Sequence, residues 1–178
     1  MKKINLEPHV KLIENFVDNP DRLFERIKKS VVWDEQMKSR KTASFGVAYN
    51  YSGMSYPQTI MPSELTPICQ KIDLTVGFMP NNCLLNYYLD GNSTMGYHSD
   101  NLAELKQGTG VVIVSLGASR YISYRSKEEQ KIKYKYLLGN GSFLYMDDNV
   151  QKKWMHAIPK QNTAEERISL TFRLIDRN

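Results

Sequence analysis

The hydrophobic and polar positions indicate a helix near the start of the chain. In residues 19–27 an Asn or Asp is placed to cap the helix, Pro20 falls in its first turn, and Leu23 and Ile27 lie one helical turn apart. This pattern predicts a first helix that ends near Trp33. Because its apolar positions share one side, we expect the helix to pack against a sheet.

A second helical pattern opens at Ser63 and stops before Gly77 and Pro80, two residues that interrupt helices. Its apolar positions at helical spacing are Leu65, Ile68, Cys69 and Ile72. An apolar stripe of this kind must be covered by another element of the fold. We therefore expect the second helix to lie against the same sheet as the first.

From Cys83 onward the pattern changes to short β-rich runs separated by polar or glycine-containing turns. The predicted strands are residues 83–89, 110–116, 121–125, 131–137, 142–146 and 167–175. Many short strands predict an antiparallel sandwich or barrel, so the fold class is mainly β with supporting helices, an α+β arrangement. Residues 40–57 are rich in Tyr, Ser and Gly without a strong period and predict an exposed, partly stranded flap.

Length and composition set limits on the fold and its setting. A chain of 178 residues suffices for one domain with a sizeable core, so we expect a single domain over residues 1–178, as a monomer. The net charge of +5 and the pI near 9.1 favour a polyanionic partner only modestly. Cys69 and Cys83 lie in apolar runs and predict free thiols in a reducing, cytoplasmic setting. The sequence predicts neither secretion nor membrane insertion.

Two of the three histidines fall in a pattern that binds iron. His98 stands two residues before Asp100, and alternate residues of an extended strand project to the same side, so both side chains reach one ion. His156 lies far along the chain and must come from another strand. Two imidazoles and one carboxylate leave one side of Fe(II) open for a co-substrate and dioxygen, which predicts oxidation chemistry. Chance is the alternative, because His-x-Asp alone is a short motif.

A pair of arginines adds to this pattern. Arg167 and Arg173 alternate with apolar residues in the last predicted strand, so both guanidinium groups lie on one side of it. An edge strand with a solvated basic side is the simplest interpretation. If that side instead lines a barrel interior, two buried guanidinium groups need anions, which a dicarboxylate and Asp100 would supply.

These residues together resemble the AlkB-like family of Fe(II)- and 2-oxoglutarate-dependent dioxygenases. The matching motifs are Asn86-x-Tyr88, His98-x-Asp100, Ser115-Leu116-Gly117, Trp154-x-His156-x-Ile158-Pro159 and Arg167-x-Ser169-Leu170-Thr171-Phe172-Arg173, in family order. The resemblance covers a catalytic core over about residues 83–178, and residues 40–57 look more loosely like the family's substrate-covering flap. It implies a double-stranded β-helix, or jelly-roll, with two supporting N-terminal helices.

The resemblance also implies a role for each residue of the site. The implied Fe(II) ligands are His98, Asp100 and His156. The implied 2-oxoglutarate site consists of Asn86, Tyr88, Arg167, Ser169 and Arg173, with Arg167 at the distal carboxylate and Arg173 nearer the metal, where it also counts among the catalytic residues. A guanidinium fork suits a carboxylate because it donates two parallel hydrogen bonds.

Family members that repair nucleic acid oxidise an alkyl group on a damaged base, so the resemblance implies DNA repair or demethylation acting on alkylated DNA or RNA. Such a base must be flipped out of a duplex or come from a single strand. The candidate substrate residues are Arg40, Tyr49, Tyr51, Tyr97 and Leu102. Each of the tyrosines is equally compatible with ordinary packing of the flap.

Two positions depart from the family pattern. Leu102 occupies the position two residues after Asp100, where repair members usually have an acid facing the base, and Ser169 replaces a common Asn. A serine hydroxyl still hydrogen-bonds to a carboxylate, over a shorter reach. The change at Leu102 keeps open a second function, an oxygenase of the same fold that acts on a small metabolite or a protein side chain.

A third alternative is a catalytically silent nucleic-acid-binding module, against which the intact triad argues. A basic groove formed by Lys38, Arg40, Lys41 and Arg120 near the iron would favour nucleic acid, and a closed apolar pocket would favour a small substrate. The basic run over residues 125–135 alternates with apolar positions. It is most simply a solvated strand surface, and a surface that contacts phosphates is the alternative.

Overall fold

The computed structural model describes residues 7–51 and 53–177, and the side chain of Tyr51 lies outside the described part. Single turns of 3-10 helix occur at Ser63–Leu65 and Leu102–Glu104. The longer elements are β1 (Lys11–Ile13), α1 (Pro20–Ser30), β2 (Lys41–Gly46), β3 (Tyr49–Tyr51), β4 (Met54–Tyr56), α2 (Thr66–Val76), β5 (Asn82–Tyr88), β6 (Met95–His98), β7 (Val111–Gly117), β8 (Arg120–Ser126), β9 (Lys133–Leu138), β10 (Ser142–Met146), α3 (Asp148–Lys153), β11 (Trp154–Ile158) and β12 (Arg167–Arg173). The six strands predicted from the β-rich runs are all present, with ends that shift by at most two residues.

Most of the strands form two antiparallel sheets. The larger, the major sheet, has the strand order β1-β10-β7-β12-β5-β2, and the smaller, the minor sheet, has the order β6-β11-β8-β9. The remaining strands, β3 and β4, pair as a separate hairpin. Apolar side chains from both sheets pack together in one cluster, so the sheets face each other as the two layers of a jelly-roll.

Side chains of the major sheet alternate between two cores. On β5, Cys83 and Leu85 join the apolar cluster that contains the helices, whereas Leu84 and Tyr88 join the cluster between the sheets. This alternation follows from the two-residue period of an extended strand. Because β5, β7 and β12 are covered on both sides, nearly every residue in them is buried.

The helices cover the outer side of the major sheet, as the sequence predicts. Buried residues of α1 and α2 share one cluster with strand residues such as Leu85 and Val114. The helix ends differ in detail from the prediction. Helix α1 ends at Ser30 rather than near Trp33, and the side chain of Asn19 makes no capping hydrogen bond because Asn19 has a left-handed backbone with φ 51°. Gly77 ends α2 with φ 80°, a conformation that glycine adopts without strain.

The prediction of an exposed flap at residues 40–57 is wrong for its first half. Strand β2 pairs with β5 along its whole length and forms an edge of the major sheet, with Thr42 fully buried. Only the β3–β4 hairpin stands apart from the two sheets, and both Tyr49 and Tyr56 at its base are buried. Strand β2 shows little of the alternation between apolar and polar residues that marks a strand, because most of its residues are small or polar. In the described parts of the chain, no helix is long and apolar enough to cross a membrane.

Candidate metal centre and active site

Two neighbouring strands of the minor sheet bring the predicted metal ligands together. His98 at the end of β6 is directly opposite His156 on β11 in the strand register, and their ring centroids are 4.4 Å apart. Asp100 lies two residues beyond the end of β6 rather than within the strand. One nitrogen or oxygen from each of the three side chains lies within 4.8 Å of the others. Two imidazoles and a carboxylate at this spacing are a donor set that fits non-haem Fe(II).

Buried partners hold the Asp100 carboxylate in place. Oδ1 of Asp100 accepts a hydrogen bond from Nη2 of Arg173, and the two side chains form a buried ion pair. Oδ2 accepts a hydrogen bond from Nε2 of Gln151 at 3.1 Å, and it lies 3.6 Å from Nε2 of His156. The oxygen of the Gln151 side chain also accepts from the backbone N–H of Asp100 at 2.9 Å. The carboxylate is therefore fixed with Oδ2 toward the histidines.

Gln151 is a residue that the sequence reasoning missed. It lies on α3, which begins where the Asp147 side chain caps the helix by accepting from the backbone N–H of Val150 at 2.9 Å. The signal in the sequence was the position of a glutamine five residues before His156, inside a short capped helix that turns its side chain inward. Only the structure connects that helix to Asp100.

The protonation states of the triad suit a metal. Burial raises the pKa of Asp100, but the charge of Arg173 and the nearby histidines lower it more, so its pKa lies well below the usual range and the group is ionised. Burial lowers the pKa of His156 to about 4, so this imidazole is neutral near pH 7. Nδ1 of His98 lies 2.9 Å from the carbonyl oxygen of Gly96, which favours a proton on Nδ1 and leaves Nε2 for a metal.

Arg167 is buried in the space between the sheets, on the same side of β12 as Arg173. Its Nε donates to the hydroxyl of Ser115 at 2.8 Å, and its guanidinium carbon lies 5.1 Å from the ring centre of Tyr88. Among the described residues, neither terminal nitrogen makes a hydrogen bond of good geometry, although the hydroxyl of Tyr88 lies near enough to raise the pKa of Arg167, and no carboxylate lies within 4.0 Å. Burial lowers the pKa of Arg167 to about 10, which still leaves it charged at neutral pH.

A buried, charged guanidinium with two unused donors is costly unless an anion joins it. The interior position of Arg167 therefore decides between the two interpretations of the basic side of β12: it is not a solvated edge. The donors fit a carboxylate, because a guanidinium fork and a carboxylate match in geometry. Ser115, whose hydroxyl orients Arg167, belongs to the Ser-Leu-Gly motif but was not expected to take part in the site.

The other predicted co-substrate residues lie on the same inner side. Asn86 and Ser169 are opposite each other across β5 and β12, and both are buried. The amide oxygen of Asn86 accepts a hydrogen bond from Nε of Arg40 at 2.7 Å. Tyr88 stacks beneath Arg167 and beside Arg120, whose guanidinium carbon lies 5.6 Å from its ring centre. A small cavity between the sheets is lined by Leu84, Asn86, Met95, His98, Asp100, Ile113, His156, Thr171 and Arg173.

The candidate substrate residues lie in different parts of the structure. Tyr49 at the base of the hairpin lies over Arg173, whose guanidinium carbon is 4.6 Å from the ring centre. Tyr97 projects from β6 to the outside of the minor sheet, next to Arg125. Leu102 packs partly buried against the cluster between the sheets. The side chain of Tyr51 lies outside the described residues.

The basic groove considered from the sequence does not form. Arg40 is buried and donates to Asn86 and to the carbonyl oxygen of Thr94 at 3.1 Å. Arg120 is fully buried, and its guanidinium donates to the backbone carbonyls of three loop residues. Lys41 forms a salt bridge of 2.6 Å with Glu35. Both arginines serve structural contacts, because their guanidinium groups donate hydrogen bonds to backbone carbonyl groups inside the fold.

The sequence matches the family model of the 2OG-Fe(II) oxygenase superfamily over residues 11–173, which is most of the chain. The chain belongs to this superfamily, and it is an Fe(II)- and 2-oxoglutarate-dependent dioxygenase. Its relatives make it AlkB-like within the superfamily. It is 29% identical over 199 residues to the alpha-ketoglutarate-dependent dioxygenase alkB homolog 3 of Rattus norvegicus, an alignment that covers 97% of this chain and 68% of the relative.

A second relative carries a more specific name. The chain is 32% identical over 151 residues to the DNA oxidative demethylase ALKBH2 of Homo sapiens, over 76% of this chain and 56% of the relative. Among solved structures, OsALKBH1 superimposes with a TM-score of 0.66 at 17% identity and covers 94% of this chain and 99% of that chain. The superposition supports the jelly-roll fold.

Proposed function

We propose that this dioxygenase oxidatively demethylates alkylated nucleobases in DNA or RNA. The observation that carries the proposal is the triad of partly exposed His98 with buried Asp100 and His156, beside an interior Arg167 that has no anion among the described residues. That site accounts for the cofactor and the co-substrate. Similarity to relatives named alkB homolog 3 and DNA oxidative demethylase favours a nucleic-acid substrate.

In this proposal His98, Asp100 and His156 hold Fe(II). Arg173 binds Oδ1 of Asp100, so Oδ2, which lies 3.6 Å from Nε2 of His156, would be the oxygen available to the metal. Gln151 prevents rotation of the carboxylate by hydrogen-bonding to Oδ2 and to the Asp100 backbone. When bound, Fe(II) and 2-oxoglutarate supply, with dioxygen, the oxidation that hydroxylates an alkyl group, and the hydroxylated carbon leaves as an aldehyde.

Arg167 binds the distal carboxylate of 2-oxoglutarate through its two terminal nitrogens. Ser115 orients the guanidinium, and the ring of Tyr88 lies along one of its sides. Asn86 and Ser169 provide further polar groups on adjacent strands of the same surface. The carboxylate of the co-substrate would supply the anion that the buried guanidinium lacks among the described residues, and this gain supports binding.

The β3–β4 hairpin covers the substrate in this proposal. Tyr49, whose ring lies beside Arg173, would contact a flipped base there. Tyr51 follows two residues later on the same strand. Arg40 acts indirectly by fixing Asn86. We also propose that residues 1–178 form one AlkB-like domain, and the monomeric state and the cytoplasmic location stay predictions.

A small metabolite or a protein side chain is the second candidate substrate. Leu102 favours it, because an apolar residue two positions after Asp100 packs against the interior cluster and offers no carboxylate to an exocyclic amine. If the substrate is a nucleobase, the same feature predicts loose discrimination among methylated bases.

The proposal is tested by loading the chain with Fe(II) without oxygen and then adding oxygen and 2-oxoglutarate. Succinate and released aldehyde are measured with methylated oligonucleotides, the same oligonucleotides without methyl groups, and methylated nucleosides. We expect the methylated oligonucleotides to stimulate succinate formation and to release aldehyde in equal amount. Stimulation by nucleosides or metabolites alone, with none by oligonucleotides, would contradict the proposal and favour the second candidate.

A further inference from the structure

The outer surface of the minor sheet carries cations and tyrosines. Burial alternates along β8 and β9, so that side chains such as Ile122 and Leu138 are buried inside while their neighbours face outward. We call this surface the outer basic surface. Its outward residues are Tyr97 of β6, Met155 and Ala157 of β11, Tyr121, Ser123 and Arg125 of β8, and Lys133, Lys135 and Leu137 of β9.

The outer basic surface has three cations and no acidic residue on its strands. Arg125 lies directly opposite Lys133 in the register of β8 and β9. Like charges across a strand pair destabilise a sheet. Within the described part of the chain, no carboxylate lies within 4.0 Å of these cations, and Glu128 and Glu129 belong to the turn beyond the strands. A polyanion on this surface would relieve the repulsion.

Aromatic rings order two of these cations without neutralising them. The guanidinium carbon of Arg125 lies 4.3 Å from the ring centre of Tyr97, and Nζ of Lys135 lies 4.7 Å from the ring centre of Tyr121. Nε of Arg125 is buried without a hydrogen-bond partner among the described residues. Holding a long side chain in place before binding lowers the entropy lost when a ligand immobilises it.

The outer basic surface reaches the edge of the metal centre. Strand β6 is the edge strand of the minor sheet, and on it Tyr97 and His98 project to opposite sides. His98 is partly exposed, whereas Asp100 and His156 are buried, so the triad is most accessible at this edge. A chain that enters the site beside His98 can continue around the edge onto the outer surface at Tyr97.

We infer that the outer basic surface binds the sugar–phosphate backbone of a single-stranded polynucleotide that flanks the target base. The inference rests on the proposed function and adds where its substrate lies. Arg125, Lys133 and Lys135 contact phosphates, and the tyrosines hold the cations and offer aromatic surface to bases. A nucleic acid suits this surface better than an acidic peptide because cations alternate with aromatic rings, the combination that single-strand binding uses.

The test measures binding of a fluorescein-labelled, unmethylated oligothymidylate of about 12 nucleotides to the full chain by fluorescence anisotropy over a range of salt concentrations. Neutralising two phosphate contacts in the double variant Lys133→Ala, Lys135→Ala lowers the slope of log Kd against log salt by about 1.4. We expect its Kd to rise about tenfold or more at low salt. Tyr121→Leu raises Kd with an unchanged slope, because it removes no charge.

The matched control is Arg22→Ala, Lys29→Ala, which removes the same charge from exposed positions on α1, beyond the other side of the major sheet. Both double variants alter exposed side chains, so thermal melting of each should show a cooperative transition near that of the wild type. Equal losses of binding in the two double variants would mean general electrostatic attraction and would overturn the inference. Equal competition by a polyglutamate peptide of the same charge would assign the surface to an acidic protein instead.

This experiment separates the inference from the proposed function, since it needs neither methyl groups nor turnover. The double variant could lose oligothymidylate binding while the wild type turns over no methylated oligonucleotide. That result would contradict the proposed function and support the inference about the outer basic surface. If methylated oligonucleotides are turned over and the double variant binds oligothymidylate like the wild type, the inference about the outer basic surface is contradicted and the proposed function is supported.

Discussion

Asp100 is the residue on which the proposed metal centre depends, because it is the only anion among the three proposed ligands and three buried side chains surround it. We expect His98→Ala, Asp100→Ala and His156→Ala each to abolish Fe(II)-dependent succinate formation. The loss should exceed the roughly 10–100-fold that follows removal of an outer partner. Circular dichroism should stay unchanged, since a catalytic metal on a preformed barrel is not its main stabiliser. Wild-type succinate formation by Asp100→Ala at limiting iron would contradict the assignment.

Gln151 allows a separate test of how the carboxylate is oriented. Gln151→Ala removes the two hydrogen bonds that fix Asp100 but leaves every ligand present. We expect the affinity for Mn(II), titrated without oxygen as a substitute for Fe(II), to fall about 10–100-fold. The exposed Gln107→Ala is the control and should bind Mn(II) like the wild type. An unchanged affinity in Gln151→Ala would remove this residue from the metal centre.

Replacing Arg167 with lysine tests the co-substrate site by changing the geometry of the side chain while keeping its charge. Arg167→Lys keeps the positive charge but loses the planar fork, because one ammonium nitrogen replaces both the Nε that contacts Ser115 and the two terminal nitrogens beyond it. Loss of one charge-assisted hydrogen bond costs about 1.5–3 kcal/mol, so we expect the KM for 2-oxoglutarate to rise about tenfold or more. The exposed Arg22→Lys provides the control. The assignment fails if both variants use 2-oxoglutarate equally well.

At the scale of elements, an ion-pair network joins α1 to the major sheet beside the site. Glu166, immediately before β12, accepts hydrogen bonds from Lys28 of α1 at 2.5 Å and from the hydroxyl of Tyr87 on β5. Burial raises the pKa of Glu166, but these partners outweigh it and hold the pKa below its usual value. The network fixes the start of β12, where Arg167 is the next residue.

Because the pKa of Glu166 is lowered in the fold, the free energy of unfolding depends on pH. A carboxyl group with a lowered pKa in the folded state stabilises the fold above its ordinary pKa, and the stabilisation is lost as the pH falls through the lowered value. We expect Glu166→Gln to lower the free energy of unfolding by about 1 kcal/mol or less at pH 7, since the pair is partly exposed. Urea unfolding at several pH values should show the difference shrinking in acid. A difference that grows in acid would contradict this account.

At the scale of the molecule, the metal and co-substrate should stabilise a fold that already exists without them. A ligand at about 100 times its Kd adds about 2.7 kcal/mol, which corresponds to roughly 5–10 °C in Tm for a chain of this size. We expect Mn(II) with 2-oxoglutarate to produce such a rise in the wild type. The rise should be much smaller in Asp100→Ala, where the metal is lost. An equal rise in both would place the binding elsewhere.

Much of the fold could be predicted from local patterns. The six β-rich runs became strands with ends displaced by at most two residues, because alternating side chains and turn residues act within a few positions of each other. Strand β2 is less evident, and its sequence predicts an exposed flap instead. Its small and polar residues give little local signal, and its burial arises from pairing with β5, which lies about forty residues further along the chain.

Part of the candidate site, like part of the fold, could be predicted from the sequence. The sequence by itself determined that Arg167 and Arg173 share one side of their strand, since this follows from spacing along one segment. It also indicated His98 and Asp100 as ligand types, although Asp100 lies beyond the end of β6 rather than within the strand. Only the tertiary structure decided that this shared side faces the interior, that Gln151 holds Asp100, and that Arg40 and Arg120 are buried in structural contacts while another basic surface exists. The physical reason is that strand periodicity fixes relative directions, whereas inside and outside depend on which distant strands pair and pack.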